Sequence, residues 1–122
     1  MAKKVLIVDD EVTLLKTLKD GLELEGQYNV RIVNDSRQAI DQMMEFMPDV
    51  VILDVMMPDM DGGEVAAKML DYPMLKDIPV IFQTAVMSRD EEAKHKPASS
   101  REHFLIKPVS LDEVARTIEA LT

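Results

Sequence analysis

Apolar and polar positions along the chain follow two periods, and the switch between them recurs five times. Val50-Val51-Ile52-Leu53 is an unbroken apolar run, rich in β-branched residues, that ends abruptly at Asp54. Such a run predicts a strand buried on both faces. Val5-Leu6-Ile7-Val8, closed by Asp9-Asp10, reads the same way. Pro79-Val80-Ile81-Phe82, closed by Gln83-Thr84, reads as a fourth strand, and Phe104-Leu105-Ile106, closed by Lys107-Pro108, as a fifth that is a plausible edge. Tyr28, Val30 and Ile32 instead alternate with Asn29 and Arg31, so this strand is expected half exposed at an edge.

Between the strands the period lengthens to that of a helix. Leu14, Leu15, Leu18 and Leu22 form a stripe from Val12 to about Glu25, with Gly26 placed to end it. Ser36 is placed to cap a second helix in which Ala39, Ile40, Met43, Met44 and Met47 face the sheet until Pro48 stops it. Asp61 and Glu64 have the spacing of a capping pair before a third helix buried through Val65, Ala66, Met69 and Leu70. Ser88 and Glu91 repeat that spacing before a fourth helix, which Pro97 keeps short. Leu111, Val114, Ile118 and Leu121 mark a last helix.

Five strand-helix units of this kind predict an α/β fold, a parallel sheet with helices on both faces, because right-handed crossovers lay each helix over the sheet. The polar residues that close the strands then share one rim: Asp9 and Asp10, Asp54, Thr84 and Lys107. In open α/β sheets that rim is where ligands bind. Carboxylates gathered there repel, each pair costing on the order of 4 kcal/mol at roughly 4 Å and an effective dielectric of about 20. A raised pKa or a nearby cation offsets this. Lys107 supplies one charge, and an all-oxygen site suits Mg2+ or Mn2+ rather than zinc. A divalent ion, a carboxylate, a lysine and a hydroxyl together equip a site for phosphoryl transfer. Taken singly, paired aspartates after a strand are explained as readily by a helix dipole, Thr84 by a turn, Lys107 by solvation and Phe104 by the core; joint placement favours the site.

Composition narrows the choice. A chain of 122 residues is expected to be one domain, 1–122, with a core that needs no staples. The absence of cysteine excludes disulfides, thiolate metal sites and thiol catalysis. His95 and His103 lie in a polar stretch and read as solvated rather than metal-binding. Met1-Ala2-Lys3-Lys4 is followed by a run of only four apolar residues before Asp9, too short for a signal core or membrane span, so a soluble, cytoplasmic protein without membrane partners is expected. A net charge of −9 argues against nucleic-acid binding. The ten methionines read as core filler.

These motifs resemble, over essentially the whole chain, a receiver domain of the two-component response-regulator family. They run from Val8-Asp9-Asp10-Glu11 through Leu53-Asp54-Val55-Met56-Met57-Pro58-Asp59-Met60-Asp61-Gly62 to Thr84-Ala85 and Lys107-Pro108. The resemblance implies a flavodoxin-like (CheY-like) three-layer sandwich, a five-stranded sheet of order 2-1-3-4-5 with five helices. It implies a signalling domain rather than an enzyme, in which Asp54 takes a phosphoryl group from a sensor histidine kinase or a histidine phosphotransfer protein. Mg2+ (or Mn2+) would be held by Asp10, Asp54 and the Met56 backbone carbonyl, with Asp9 contributing directly or through water. Lys107 would pair with the phosphate, Thr84 would move inward to bond it, and Phe104 would be the rotating aromatic. The peptide Lys107-Pro108 would be cis. The output would be the face of the fourth helix, fifth strand and last helix, acting on an unidentified downstream protein as a monomer or a weak phosphorylation-dependent dimer.

Two departures from the family pattern stand out. Residues 91–102 carry only two alanines as apolar content, so the segment from Ser88 to His103 is expected to be weakly anchored and to order on phosphorylation or partner binding. Met56 and Val86 occupy positions that influence acyl-phosphate hydrolysis in the family, and neither can bond an attacking water, so slow to intermediate self-dephosphorylation is expected. The chain reaches Thr122 as its last helix ends, which suggests a free-standing receiver or one cut from a longer protein. Three competitors fare worse. A flavodoxin-like cofactor binder would need a Ser/Thr/Gly-rich phosphate loop where Asp9-Asp10-Glu11 stands. An aspartyl-phosphate phosphatase would want an acid at Met56. A pseudo-receiver serving only as an interaction module should lack a site residue.

Overall fold

The computed structural model describes residues 2–24, 26–84, 102–107 and 110–122. The expected fourth helix with Ser88, Glu91 and Pro97, the ordering of the Ser88–His103 segment as a whole, Val86, His95 and the Lys107-Pro108 peptide lie outside the described residues.

Strands β1 (Lys3–Val8), β2 (Tyr28–Val33), β3 (Val50–Asp54), β4 (Val80–Thr84) and β5 (Glu102–Ile106) form one sheet of order β2-β1-β3-β4-β5. Every neighbouring pair is parallel. The described helices are α1 (Val12–Glu23), α2 (Ala39–Phe46), α3 (Gly62–Met69) and α4 (Leu111–Leu121). The alternation of side chains along each strand divides the core in two. Leu6, Val8, Val51, Leu53, Val80 and Phe82 face α2 and α3 through Met43, Phe46, Val65 and Met69. Val5, Ile7, Val50, Ile52 and Ile81 face α1 and α4 through Leu15, Leu18, Leu22, Val114 and Ile118.

The strands with continuous apolar runs, β3 and β4, are buried throughout, and β2 and β5 are the edges. Gln83 and Thr84 are the last residues of β4 rather than residues beyond it. Local chemistry corrects several expected details. Asp35, not Ser36, accepts the capping bond, from the Arg37 N–H at 3.0 Å, and a 3-10 turn over Ser36–Gln38 precedes α2. The Ser36 hydroxyl instead donates to the Pro58 carbonyl at 3.2 Å, joining the loop after β2 to the loop after β3. Met47 does not face the sheet: it ends α2 in the left-handed region at φ 51° and lies exposed, while Phe46 takes the core position beneath Arg31. Leu70 caps α3 and is exposed, so the buried stripe stops at Met69. The Asp61 cap holds, its Oδ1 accepting from the Glu64 N–H at 2.8 Å.

Candidate functional site

The rim is built by where each strand stops. β1 runs apolar to Val8, so Asp9 follows on the α1 face and is 1% exposed. Its Oδ1 accepts from the Glu11 N–H at 2.9 Å, which anchors the start of α1, where Glu11 itself makes no side-chain cap. β3 carries Asp54 as its last residue, 4% exposed, with Oδ1 accepting from the Met56 N–H at 3.2 Å. Asp10 is exposed beside them. One oxygen from each of Asp9, Asp10 and Asp54 lies within 4.8 Å of the others.

Lys107 closes the cluster. Its N–H donates to the Thr84 carbonyl at 2.7 Å, which carries the β4-β5 ladder one step past β5 and fixes where the side chain starts. The ammonium lies 2.8 Å from Asp9 Oδ2, 3.4 Å from Asp54 Oδ2 and 3.5 Å from Glu11 Oε1. Burial pulls the lysine pKa down, but the hydrogen bond and charge of Asp9, with Asp54 and Glu11 behind, outweigh it and hold the lysine charged. Burial pushes the Asp54 carboxyl up to about 6, assisted by the Asp9 charge and opposed by Lys107 and the Met56 N–H. A buried carboxylate cluster with one cation is short of positive charge. Its exposed member, Asp10, opens it to solvent.

Thr84 is buried at the end of β4, and Phe104 is half-buried, stacked on Phe82 with ring centroids 4.9 Å apart and planes at 21°. Met56 is 73% exposed in the loop after Asp54. That loop is held by the Gly62 N–H donating to the Val55 carbonyl at 3.1 Å. Only glycine fits at position 62, because a Cβ there would overlap the Asp54 carbonyl oxygen.

The structure thus brings together Asp9, Asp10, Asp54 and Lys107, with Thr84 on the adjoining strand end. Sequence reasoning missed Glu11 as a third carboxylate facing the lysine, and Gln83, read only as a strand terminator. Gln83 is 1% exposed, and neither its Nε2 nor its Oε1 finds a hydrogen-bond partner among the described residues. A polar residue at a period-two core position was the available signal.

The response regulator receiver domain family matches residues 5–119. Response regulator MprA of Mycolicibacterium vanbaalenii is 34% identical over 99% of this chain, which spans 51% of that relative's length. The polar-differentiation response regulator DivK of Brucella anthropi is 31% identical, with 98% of this chain and 96% of that one covered. Among solved structures, Vibrio cholerae chemotaxis protein CheY4 superposes with a TM-score of 0.89 at 27% identity over 100% of both chains. The signal receiver domain of a Syntrophus aciditrophicus signal transduction histidine kinase gives 0.85 at 31% identity, covering 98% of this chain and 89% of that one. Among the described residues no helix is long and apolar enough to cross a membrane. With a family match over most of its length, a sheet of order 2-1-3-4-5 and an acidic rim closed by a lysine, the chain belongs to the response-regulator receiver-domain family.

Proposed function

We propose that residues 1–122 act as one phosphoryl-accepting receiver, with Asp54 as the acceptor, serving a sensor histidine kinase or a histidine phosphotransfer protein. The observation that carries this reading is the meeting of Asp9, Asp10 and Asp54 with Lys107 bridging two of them. A carboxylate oxygen of Asp54 attacks the phosphorus of the donor phosphohistidine. The P–O bond forms as the P–N bond breaks, and the electron pair leaves with the imidazole nitrogen. With its pKa near 6, Asp54 is ionised at neutral pH yet more basic than an ordinary aspartate.

The donor set is all oxygen and clustered, which fits Mg2+ or Mn2+. Asp9, Asp10, Asp54 and the Met56 carbonyl would hold the ion, and when bound it supplies charge neutralisation for the phosphoryl oxygens. Lys107 takes one of those oxygens. Thr84 binds another by moving inward, Phe104 follows into the space, and the surface around β5 and α4 changes for a downstream protein.

Incubation with acetyl phosphate and Mg2+ followed by intact mass tests this. One added phosphoryl group is expected, absent without the metal and absent in Asp54→Ala; a modified Asp54→Ala chain would overturn the assignment.

A further inference from the structure

We propose that Gln83 is a positioning residue of this site, its amide oxygen, unpaired in the metal-free chain, taking the Lys107 ammonium when a bound cation and phosphoryl group draw the carboxylates away. The inference rests on the phosphoryl-acceptor reading of the rim.

Register supplies the placement. Gln83 pairs with Asp54 on one side and with Leu105 on the other. Paired residues on parallel strands share a face, and residues two apart along a strand share it too. Ile81 and Ile52, two residues before Gln83 and Asp54, both pack in the core beneath α1 and α4. Gln83 and Asp54 are therefore neighbours on that face, and Lys107, two residues beyond Leu105, arrives on it from β5. The Gln83 main chain is already part of the site, since its carbonyl accepts from the Val55 N–H at 2.8 Å and fixes the turn after Asp54.

Among the described residues the Gln83 side chain has no other occupation. Its amide is buried with both polar atoms unpaired among the described residues, a cost that a leucine or methionine of similar volume would avoid. Lys107 in turn has three N–H donors and faces three carboxylates, the nearest being Asp9 at 2.8 Å. Asp9 and Asp54 are two of the three acids that converge as cation ligands, so a bound cation competes with the lysine for both of them. A neutral amide oxygen alongside is an acceptor that no cation withdraws as readily as a carboxylate. It keeps the ammonium desolvated, paired and aimed while the carboxylates change partners.

The test compares wild type with Gln83→Met in the full chain. Metal-free melting is expected to be equal or higher for the variant, because the unpaired amide is gone. Mg2+ affinity alone should be unchanged. Affinity for beryllofluoride in the presence of Mg2+, and the rate of acetyl-phosphate labelling, should each fall about tenfold, the loss of one hydrogen bond to a charged group. Wild-type protein that takes no phosphoryl group on Asp54 would remove the acceptor reading itself. Wild type that is labelled, with a variant matching it in beryllofluoride affinity and rate, would overturn the role of Gln83. A variant that melts lower and loses Mg2+ and beryllofluoride affinity alike would mark Gln83 as structural only and overturn it equally.

Discussion

At Asp54 two influences oppose each other, and burial together with Asp9 prevails over Lys107, taking the pKa from 3.8 to about 6. Between those values the folded chain binds a proton that the unfolded chain has already released. Metal-free stability therefore falls as pH rises through this window and stays lower above it, by about 3 kcal/mol. Asp54→Asn removes the effect: melts in EDTA should show the two proteins alike near pH 4 and the variant more stable above pH 6. Lys107→Met acts in the opposite direction, leaving two buried carboxylates uncompensated, and should cost about 3 kcal/mol by urea titration in EDTA, with added Mg2+ recovering part of it. The acids and the lysine were legible because each follows an apolar run. Glu11 and Gln83 were not, because one lies on a helix start facing the site and the other reads as an interrupted strand.

Elements place these groups through their ends. The approach of α3 to β3 depends on Gly62, and Gly62→Ala should destabilise the fold by about 2 kcal/mol and slow labelling of Asp54, because the added carbon meets the Asp54 main chain. Thermal melting and labelling rate measured together check both parts. Ser110, whose Oγ accepts from the Glu113 N–H at 3.1 Å, caps α4 just beyond the site lysine; Ser110→Ala should cost about 1 kcal/mol in melting. The inner strands were legible to within two residues, since a short unbroken apolar run closed by a polar residue is too brief for a buried helix. Helix ends were less so. Ser36 had the chemistry of a cap, and Met47 and Leu70 fit the periodic stripe, but each sits where the helix has not begun or has already stopped, and there neither signal says which way a side chain points.

For the whole molecule, a ligand that binds only the folded rim must raise the melting temperature. Mg2+ at about a hundred times its dissociation constant should add about 2.7 kcal/mol, and Asp10→Asn, an exposed change that leaves the packed core alone, should abolish most of that gain in a calorimetric scan. The strand order was chosen from the family resemblance, because alternation alone names only the edges; the register of β1 on β3 and β3 on β4 then follows from which residues must be covered. That register couples folding to signalling competence. Moving β3 by a single residue would exchange the two faces its side chains fill, carrying Asp54 from the α1 and α4 side, where Asp9 and Lys107 meet it, to the α2 and α3 side, where Leu53 stands among apolar side chains. Errors in assembly would thus leave the proposed acceptor unmade instead of misdirected, and the oily stripes of the sheet act as a check on its construction.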